Sequence, residues 1–200
     1  MAKPQASRTR SRAVIVIIAL LSFVPFALAW YYARHPELIE KTSNYGTLII
    51  PVRQADPAQL VARPLVRAES LPEIKGRWVL LQLPPGPCGP ACVETLHKTH
   101  QARLMLNKEV LRVRRLLLLP AGAPTADLDA VLKQDDDLAV AEVPDTLRPT
   151  LTEALGKPPG EDTVVLMDPL GNLVIWYDTG FDPYKLVKDL KHLLRASQIG

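Results

Sequence analysis

The chain contains only two cysteines, Cys88 and Cys92, among its 200 residues, and it lacks any acidic residue before Glu37. One pair of thiols limits the chain to a single internal disulfide or a single two-thiolate metal site. An excess of basic charge is also missing from most of the chain, because 20 basic and 21 acidic residues follow from Tyr31 onward. The composition therefore gives no indication of a nucleic-acid-binding surface. Internal repeats and low-complexity segments are absent as well.

An apolar run without any charged residue extends over residues 13–30. About 20 such residues cross the hydrocarbon core of a bilayer. Trp30 and the two tyrosines after it are typical of the membrane interface. We therefore predict a transmembrane helix over residues 13–32, behind a basic tail at residues 1–12. Because four basic residues precede the helix, the tail is expected in the cytoplasm and the rest of the chain outside it.

A cleaved signal peptide is the alternative for the same segment. Ala27-Leu-Ala29 fits the small-x-small pattern of a cleavage site, with residues 13–24 as the apolar region. The aromatic residues that begin at Trp30 favour the membrane anchor over cleavage. Both interpretations export the remainder of the chain to a compartment in which disulfides persist.

Four prolines without sustained periodicity predict an extended tether over residues 33–70, with a candidate short strand at 45–50. A globular domain is expected over residues 71–200. Its strand and helix patterns alternate, which favours an α/β fold with parallel crossover units. A hairpin is expected around Asp168-Pro-Leu-Gly171, and Asp182 is expected to cap the last helix.

The cysteines lie where a strand is expected to pass into a helix. The apolar run from Val79 to Leu83 indicates a buried strand, Pro84 to Pro87 ends it, and a helical pattern starts at Ala91. Backbone N–H groups at a helix N-terminus lower the pKa of a nearby thiol. Cys88 is thus the better candidate for a reactive thiolate.

Histidines and carboxylates near this region are alternative candidates for a metal site. His97 and His100 follow the cysteines with a spacing that invites a zinc site, but His97 lies about 140° around the helix from Cys92. Both histidines are therefore expected on a solvated helix surface. The three carboxylates of Asp135-Asp-Asp137 are expected to be solvated in a loop. A static disulfide is the plainer alternative for the cysteine pair.

Cys88-Gly-Pro-Ala-Cys92 resembles the Cys-Gly-Pro-Cys motif of thioredoxin with one residue inserted, and the predicted order of elements is similar to a thioredoxin-like fold. A three-residue spacer is the spacing in the Sco/SenC family of copper chaperones for cytochrome c oxidase. The chain resembles small membrane-anchored Sco-related proteins over residues 45–200. Three further features are similar in these proteins: the sequence Pro-Gly-Pro-Cys that ends at Cys88, the segment Asp168-Pro-Leu-Gly171-Asn, and the basic last helix.

This resemblance implies a thioredoxin-like α/β domain, with a central mixed sheet flanked by helices, behind one transmembrane helix. It implies a single-pass protein of the bacterial inner membrane with its C-terminal domain in the periplasm. Cys88 and Cys92 would be a redox pair or would bind copper as Cu(I), with cytochrome c oxidase subunits or other assembly factors as partners. The alternative from another class is a non-catalytic assembly scaffold with a structural disulfide.

The loop before the strand that starts at Thr163 departs from both families. Sco proteins supply a third copper ligand, a histidine, from this loop, whereas residues 156–162 contain none. Thioredoxins place a cis-proline directly before the strand, whereas Asp162 occupies that position here. Glu161 and Asp162 are therefore retained as further candidates for the site.

Overall fold

The computed structural model describes residues 6–35, 44–55, 61–62, 74–125, 128–135, 137–144, 147–197 and 199. The chain separates into two compact units, Met1–Ser43 and Asn44–Gly200. In the first unit, helix α1 spans Ala6–Arg34. Its segment Arg12–Arg34 is long and apolar enough to cross a membrane, and its side chains are exposed. An apolar helix therefore covers the predicted range 13–32 and is a candidate membrane span.

The second unit alternates strands and helices, as the sequence pattern indicates. Its elements in chain order are β1 (Thr47–Gln54), β2 (Val61–Ala62), β3 (Trp78–Gln82), α2 (Pro90–Leu104), a 3-10 helix (Asn107–Arg112), β4 (Val113–Leu119), α3 (Asp129–Gln134), β5 (Leu138–Glu142), α4 (Leu147–Leu155), β6 (Val164–Met167), β7 (Asn172–Tyr177) and α5 (Pro183–Ala196).

Within the described residues, the strands form one seven-stranded mixed sheet in the order β1-β7-β6-β3-β4-β5-β2. Strands β3, β4 and β5 are parallel, because the intervening helices α2 and α3 return the chain to the same end of the sheet. Strand β6 runs antiparallel to β3, and β7 runs antiparallel to β6. The predicted mixed sheet flanked by helices is confirmed.

Strands β1 and β2 lie within the range that the sequence predicts as a tether. Strand β1 pairs with β7, Leu48 opposite Ile175, and β2 pairs with β5, Val61 opposite Glu142. Both strands lie at the edges of the sheet, where a proline such as Pro51 is tolerated because its missing N–H can face solvent. The domain boundary predicted at residue 71 therefore moves to Asn44.

The helices cover both faces of the sheet. Leu147, Leu151 and Leu155 of α4 pack on one face, and apolar side chains of α2, α3 and α5 pack on the other. The leucine-rich strand β4 contributes Leu116 and Leu118 to the first face. Leu117 and Leu119 point to the second, as expected of a strand buried on both sides.

The prediction that the carboxylates of residues 135–137 are solvated is wrong for Asp135, whereas Asp137 is exposed as expected. Arg115 of β4 is only 1% exposed, and its guanidinium pairs with Asp135, which is 7% exposed. Arg103 of α2 is also buried and pairs with Asp137. Burial lowers the pKa of each arginine and the nearby carboxylates oppose that shift, so these acids serve as counterions of buried charge. Asp136 lies outside the described residues.

The hairpin and the last helix follow the sequence prediction. Asp168 Oδ1 accepts hydrogen bonds from the backbone N–H groups of Leu170 and Asn172. Gly171 adopts a φ of 89°, which a residue with a side chain rarely takes. Asp182 caps α5 by accepting from Tyr184 N at 2.8 Å, with Pro183 as the first helical residue.

The start of the domain is attached to the last helix by Asp189, a buried acid of α5. Its carboxylate accepts hydrogen bonds from the backbone N–H groups of Tyr45 and Gly46 and from the phenol of Tyr177. Burial and the Asp189 charge raise the pKa of Tyr177 above its ordinary range, which keeps this phenol a donor. These contacts explain why the compact unit begins before β1.

Candidate functional site

The two cysteines lie at the junction of β3 and α2, as predicted. All five residues of β3 are buried, and a proline-rich loop leads from the strand to Cys88. Gly89 is the N-cap of α2 in an extended conformation, and Pro90 is the first helical residue. Cys92 therefore lies in the first turn of the helix, and Cys88 lies just before it. The two form a disulfide with their Cα atoms 5.2 Å apart.

Both sulfurs are shielded from solvent. Cys88 is 3% exposed and Cys92 is 0% exposed, within a cluster of apolar side chains from α2, α3, β4 and β5. The proline-rich loop is more open, since Pro85 and Pro87 are exposed. Cys88, which directly follows this loop, is therefore the less deeply buried of the two cysteines.

Gln82, the last residue of β3, places an amide beside Cys92. Its side-chain N–H group donates to the carbonyl oxygen of Cys92 at 2.8 Å and points toward Cys92 Sγ at 3.3 Å. A donor to sulfur favours the thiolate over the thiol once the disulfide is reduced. The sequence interpretation missed this residue, although one polar side chain in an otherwise apolar run was a usable signal.

The predicted carboxylates have different surroundings. Glu161 is exposed, and its Oε2 lies 3.7 Å from the position that a Cβ atom on Gly89 would take. Asp162 instead accepts from Thr179 Oγ1 at 2.8 Å and from Gly180 N at 3.1 Å. The fold thus brings Glu161 to the cysteine turn, whereas Asp162 holds the loop that precedes α5.

The two histidines of α2 are not ligands of the cysteine turn. His97 is exposed, as expected, but His100 is partly buried, with Nδ1 3.2 Å from Asp135 Oδ1. Among the residues that the structure describes, no group of three or more His, Cys, Asp or Glu side chains is arranged to hold a metal ion. Once its disulfide is reduced, the cysteine pair offers two thiolates, with Glu161 near the turn that carries them.

A groove of about 620 Å³ begins five residues before Cys88 and runs along α4. Most of its surface is apolar, with Arg148 and Glu153 among its polar residues. Its lining residues are Leu83, Pro84, Pro85, Leu118, Val143, Arg148, Pro149, Leu151, Thr152, Glu153, Pro158 and Pro159. Concave, mostly apolar surfaces with a few polar groups are where proteins commonly bind ligands.

The family model described as the transmembrane-like, thioredoxin-like, C-terminal domain matches residues 78–197, from the start of β3 to the end of α5. The chain belongs to this family. No protein with a curated function matches its sequence significantly.

Solved structures of Sco proteins resemble this member of the thioredoxin-like family. Yeast Sco1 is 17% identical over 63% of this chain and 84% of its own, with a TM-score of 0.50. BsSco, a member of the Sco family of cytochrome c oxidase assembly proteins in which a disulfide switch was identified, is 13% identical over 71% and 94%, with a TM-score of 0.50. Yeast Sco1 with copper bound is 17% identical over 62% and 82%, with a TM-score of 0.48. The first two of these similarities, together with the family match, show the thioredoxin-like fold.

Proposed function

We propose that this protein is a membrane-anchored, exported thioredoxin-like protein that assists the assembly of a haem–copper oxidase through Cys88 and Cys92. The observation that carries the proposal is a disulfide at the N-terminus of α2, with the Gln82 amide beside Cys92 Sγ. Both features favour a thiolate in the reduced state. The location is the periplasmic side of a bacterial inner membrane, with α1 as the anchor, and oxidase subunits or assembly factors are the partners.

The first candidate reaction is thiol–disulfide exchange. A partner thiolate attacks Cys88 Sγ, the sulfur nearer the exposed loop, and the Cys88–Cys92 bond breaks with its electron pair on Cys92 Sγ. The Gln82 donor and the N-terminus of α2 stabilise this leaving thiolate. A second partner thiolate then attacks the partner's sulfur in the mixed disulfide and releases Cys88. The partner is oxidised by two electrons, and the cysteine pair is reduced.

The second candidate reaction is delivery of Cu(I), which is cargo here. Two soft thiolates suit Cu(I), whereas Cu(II) prefers nitrogen ligands and a fuller shell. The oxidised pair has no thiolate to offer, so reduction of the disulfide must precede metal binding. Glu161 is the carboxylate placed to approach a metal held by the pair, but its oxygen is harder than Cu(I) prefers.

The burial of both sulfurs favours a second candidate function, a scaffold with a structural disulfide. The loop that this disulfide closes is short, since the cysteines are four positions apart. Chain entropy then accounts for only about 2 kcal/mol of stabilisation, less than disulfides that close long loops provide. A purely structural role therefore gains little from this placement.

Metal titrations separate the copper reaction from the others. We expect the reduced full-length protein in detergent to bind one Cu(I) in competition with a chelator of known affinity, and to bind Cu(II) poorly at the same pair. Cys88→Ser and Cys92→Ser should each abolish Cu(I) binding, because one thiolate remains. Glu94→Gln, an exposed substitution on the same helix, is the control that should bind as the original chain does. Failure of the reduced protein to compete with the chelator would reject copper delivery and leave thiol exchange and the scaffold function.

A further inference from the structure

The last helix, α5, presents charge of a single sign to solvent. Asp189 is the only acid between Pro183 and Ala196, and it is buried. Helices α2 and α3 instead mix both signs, since Glu94 pairs with Lys98 on the first of them. The basic residues of α5, which are exposed except for the partly buried Lys191, are Lys185, Lys188, Lys191 and Arg195. We call this surface the basic face of α5.

The basic face is a row of charges and not a pocket. At 100° per residue, its four basic residues fall within a sector of about 120° around the helix. From Lys185 to Arg195 the helix rises by about 15 Å. A straight row of this length suits an extended anionic surface better than it suits a small anion, which a concave site would enclose.

Two exposed tyrosines lie beside these charges. The Nζ atoms of Lys185 and Lys188 lie 5.7 and 5.3 Å from the centre of the Tyr45 ring. Tyr45 is 53% exposed, and Tyr184 of α5 is 66% exposed. Tyrosine is enriched where proteins meet lipid headgroups, because it combines an apolar ring with a polar tip. This combination of tyrosine and lysine favours a lipid surface over an acidic protein as the partner.

The length of the chain keeps a lipid surface within reach of the domain. Helix α1 ends at Arg34, and the domain begins at Asn44. Even when fully extended, the residues between these two span at most about 35 Å. A membrane-inserted α1 therefore holds the domain near lipid headgroups at a high effective concentration.

We propose that the basic face of α5, together with Tyr45 and Tyr184, binds the anionic lipid headgroups of the membrane that anchors the chain. The inference rests on the proposed anchoring by α1 and not on the chemistry of the cysteine pair. Basic residues near an anionic surface each add to the attraction. Salt weakens this attraction, because the Debye length falls to about 3 Å at 1 M.

The test measures how fast a water-soluble acylating reagent modifies each lysine of the full-length chain in lipid nanodiscs, with mass spectrometry as the readout. Nanodiscs of phosphatidylcholine are compared with nanodiscs of equal parts phosphatidylcholine and phosphatidylglycerol. In the anionic nanodiscs Lys185 and Lys188 should react at least about fivefold more slowly, since one basic residue near such a surface contributes about fivefold in binding. Lys133, exposed on α3, should react equally in both lipids. Salt at about 1 M should remove the difference.

A double variant, Lys188→Gln with Arg195→Gln, removes two charges from the basic face. It should weaken lipid binding by an order of magnitude or more, at about fivefold for each charge, and so remove most of the slowing at Lys185. Lys75→Gln with Lys98→Gln is the matched control, because it removes two charges outside α5. The slowing at Lys185 should persist in this control.

Equal reaction rates of Lys185 in the two lipids would overturn the assignment and favour an acidic protein as the partner of α5. The same slowing at Lys133 would also overturn it, because the effect would then not belong to α5. Elution of the chain with the nanodiscs tests the anchor separately. A chain that does not elute with them rejects the anchor and this inference together, whereas an anchored chain without slowing rejects the role of α5 alone.

Discussion

Replacing Asp135 with alanine is expected to destabilise the domain by about 3–5 kcal/mol. The substitution leaves Arg115, only 1% exposed, without its carboxylate, and removing one partner of a buried ion pair has this cost. The free energy of unfolding of an ordinary domain is about 5–15 kcal/mol. The substitution therefore removes a large part of the stability of the fold. The expected effect is far larger than that of removing a surface charge.

Chemical denaturation of the full-length chain in detergent, followed by circular dichroism, measures this loss. Glu153→Ala provides the comparison, because it breaks an exposed ion pair with Arg53, and such pairs contribute about 0–1 kcal/mol. Equal unfolding free energies for the Asp135→Ala and Glu153→Ala variants would show that the buried pair does not stabilise the fold.

The same ion pair also supports the candidate site. Arg115 donates from Nη2 to the carbonyl oxygen of Leu96 and from Nε to Thr99 Oγ1, both on α2. Cys92 lies one turn before Leu96 on that helix. Asp135 therefore holds the charge of an arginine that fixes α2 against the sheet. We expect variants at Asp135 to disturb the cysteine turn as well as the stability of the domain.

Replacing both cysteines with alanine is expected to abolish oxidase assembly in a host that lacks its own copy of the protein. Neither disulfide exchange nor Cu(I) binding can take place without the sulfurs. Alanine adds no buried hydroxyl group, and the disulfide closes only a short loop, so the chain-entropy loss is about 2 kcal/mol. The variant should therefore still accumulate in the membrane.

Oxidase activity and assembled oxidase in isolated membranes are the readouts, with the abundance of the variant measured by immunoblot. Serine at either position alone should also abolish assembly, because both reactions need two sulfurs. Normal oxidase levels with the double-alanine variant would support the scaffold function, in which the chemistry of the pair has no part. Cells with low abundance of the variant are compared with cells that express the original chain at the same level.

The parts of the fold that could be predicted rest on local patterns. The apolar run before the cysteines, the proline-rich turn and the helical spacing after it predict β3 and α2. Asp168 and Gly171 predict the hairpin, because a turn with a positive φ needs glycine. Asp182 and Pro183 predict the start of α5. In each case neighbouring residues determine the structure.

The parts that could not be predicted depend on residues far apart in the chain. The sequence indicates a short strand at 45–50, but only the pairing with β7 shows that β1 extends to Gln54 and belongs to the sheet. In the sequence Asp135 is one of three adjacent acids, and only the fold shows that it pairs with Arg115 inside the domain. Glu161 and Asp162 are adjacent in sequence, yet only the loop conformation directs Glu161 toward Gly89. Sequence patterns do not record such contacts.

The midpoint potential of the Cys88–Cys92 pair tests the central claim most directly, because the claim requires a disulfide that can be reduced in the course of function. It is measured by equilibrating the full-length protein in detergent with thiol–disulfide buffers and trapping the free thiols. Gln82→Leu should lower the potential by about 30 mV, since a hydrogen bond to a charged group contributes about 1.5 kcal/mol. Gln101→Leu, on the same helix as Cys92, should leave it unchanged. For the original chain we predict a potential above about −300 mV, the range of labile disulfides. A potential below this value, with a disulfide that glutathione does not reduce, would contradict the account.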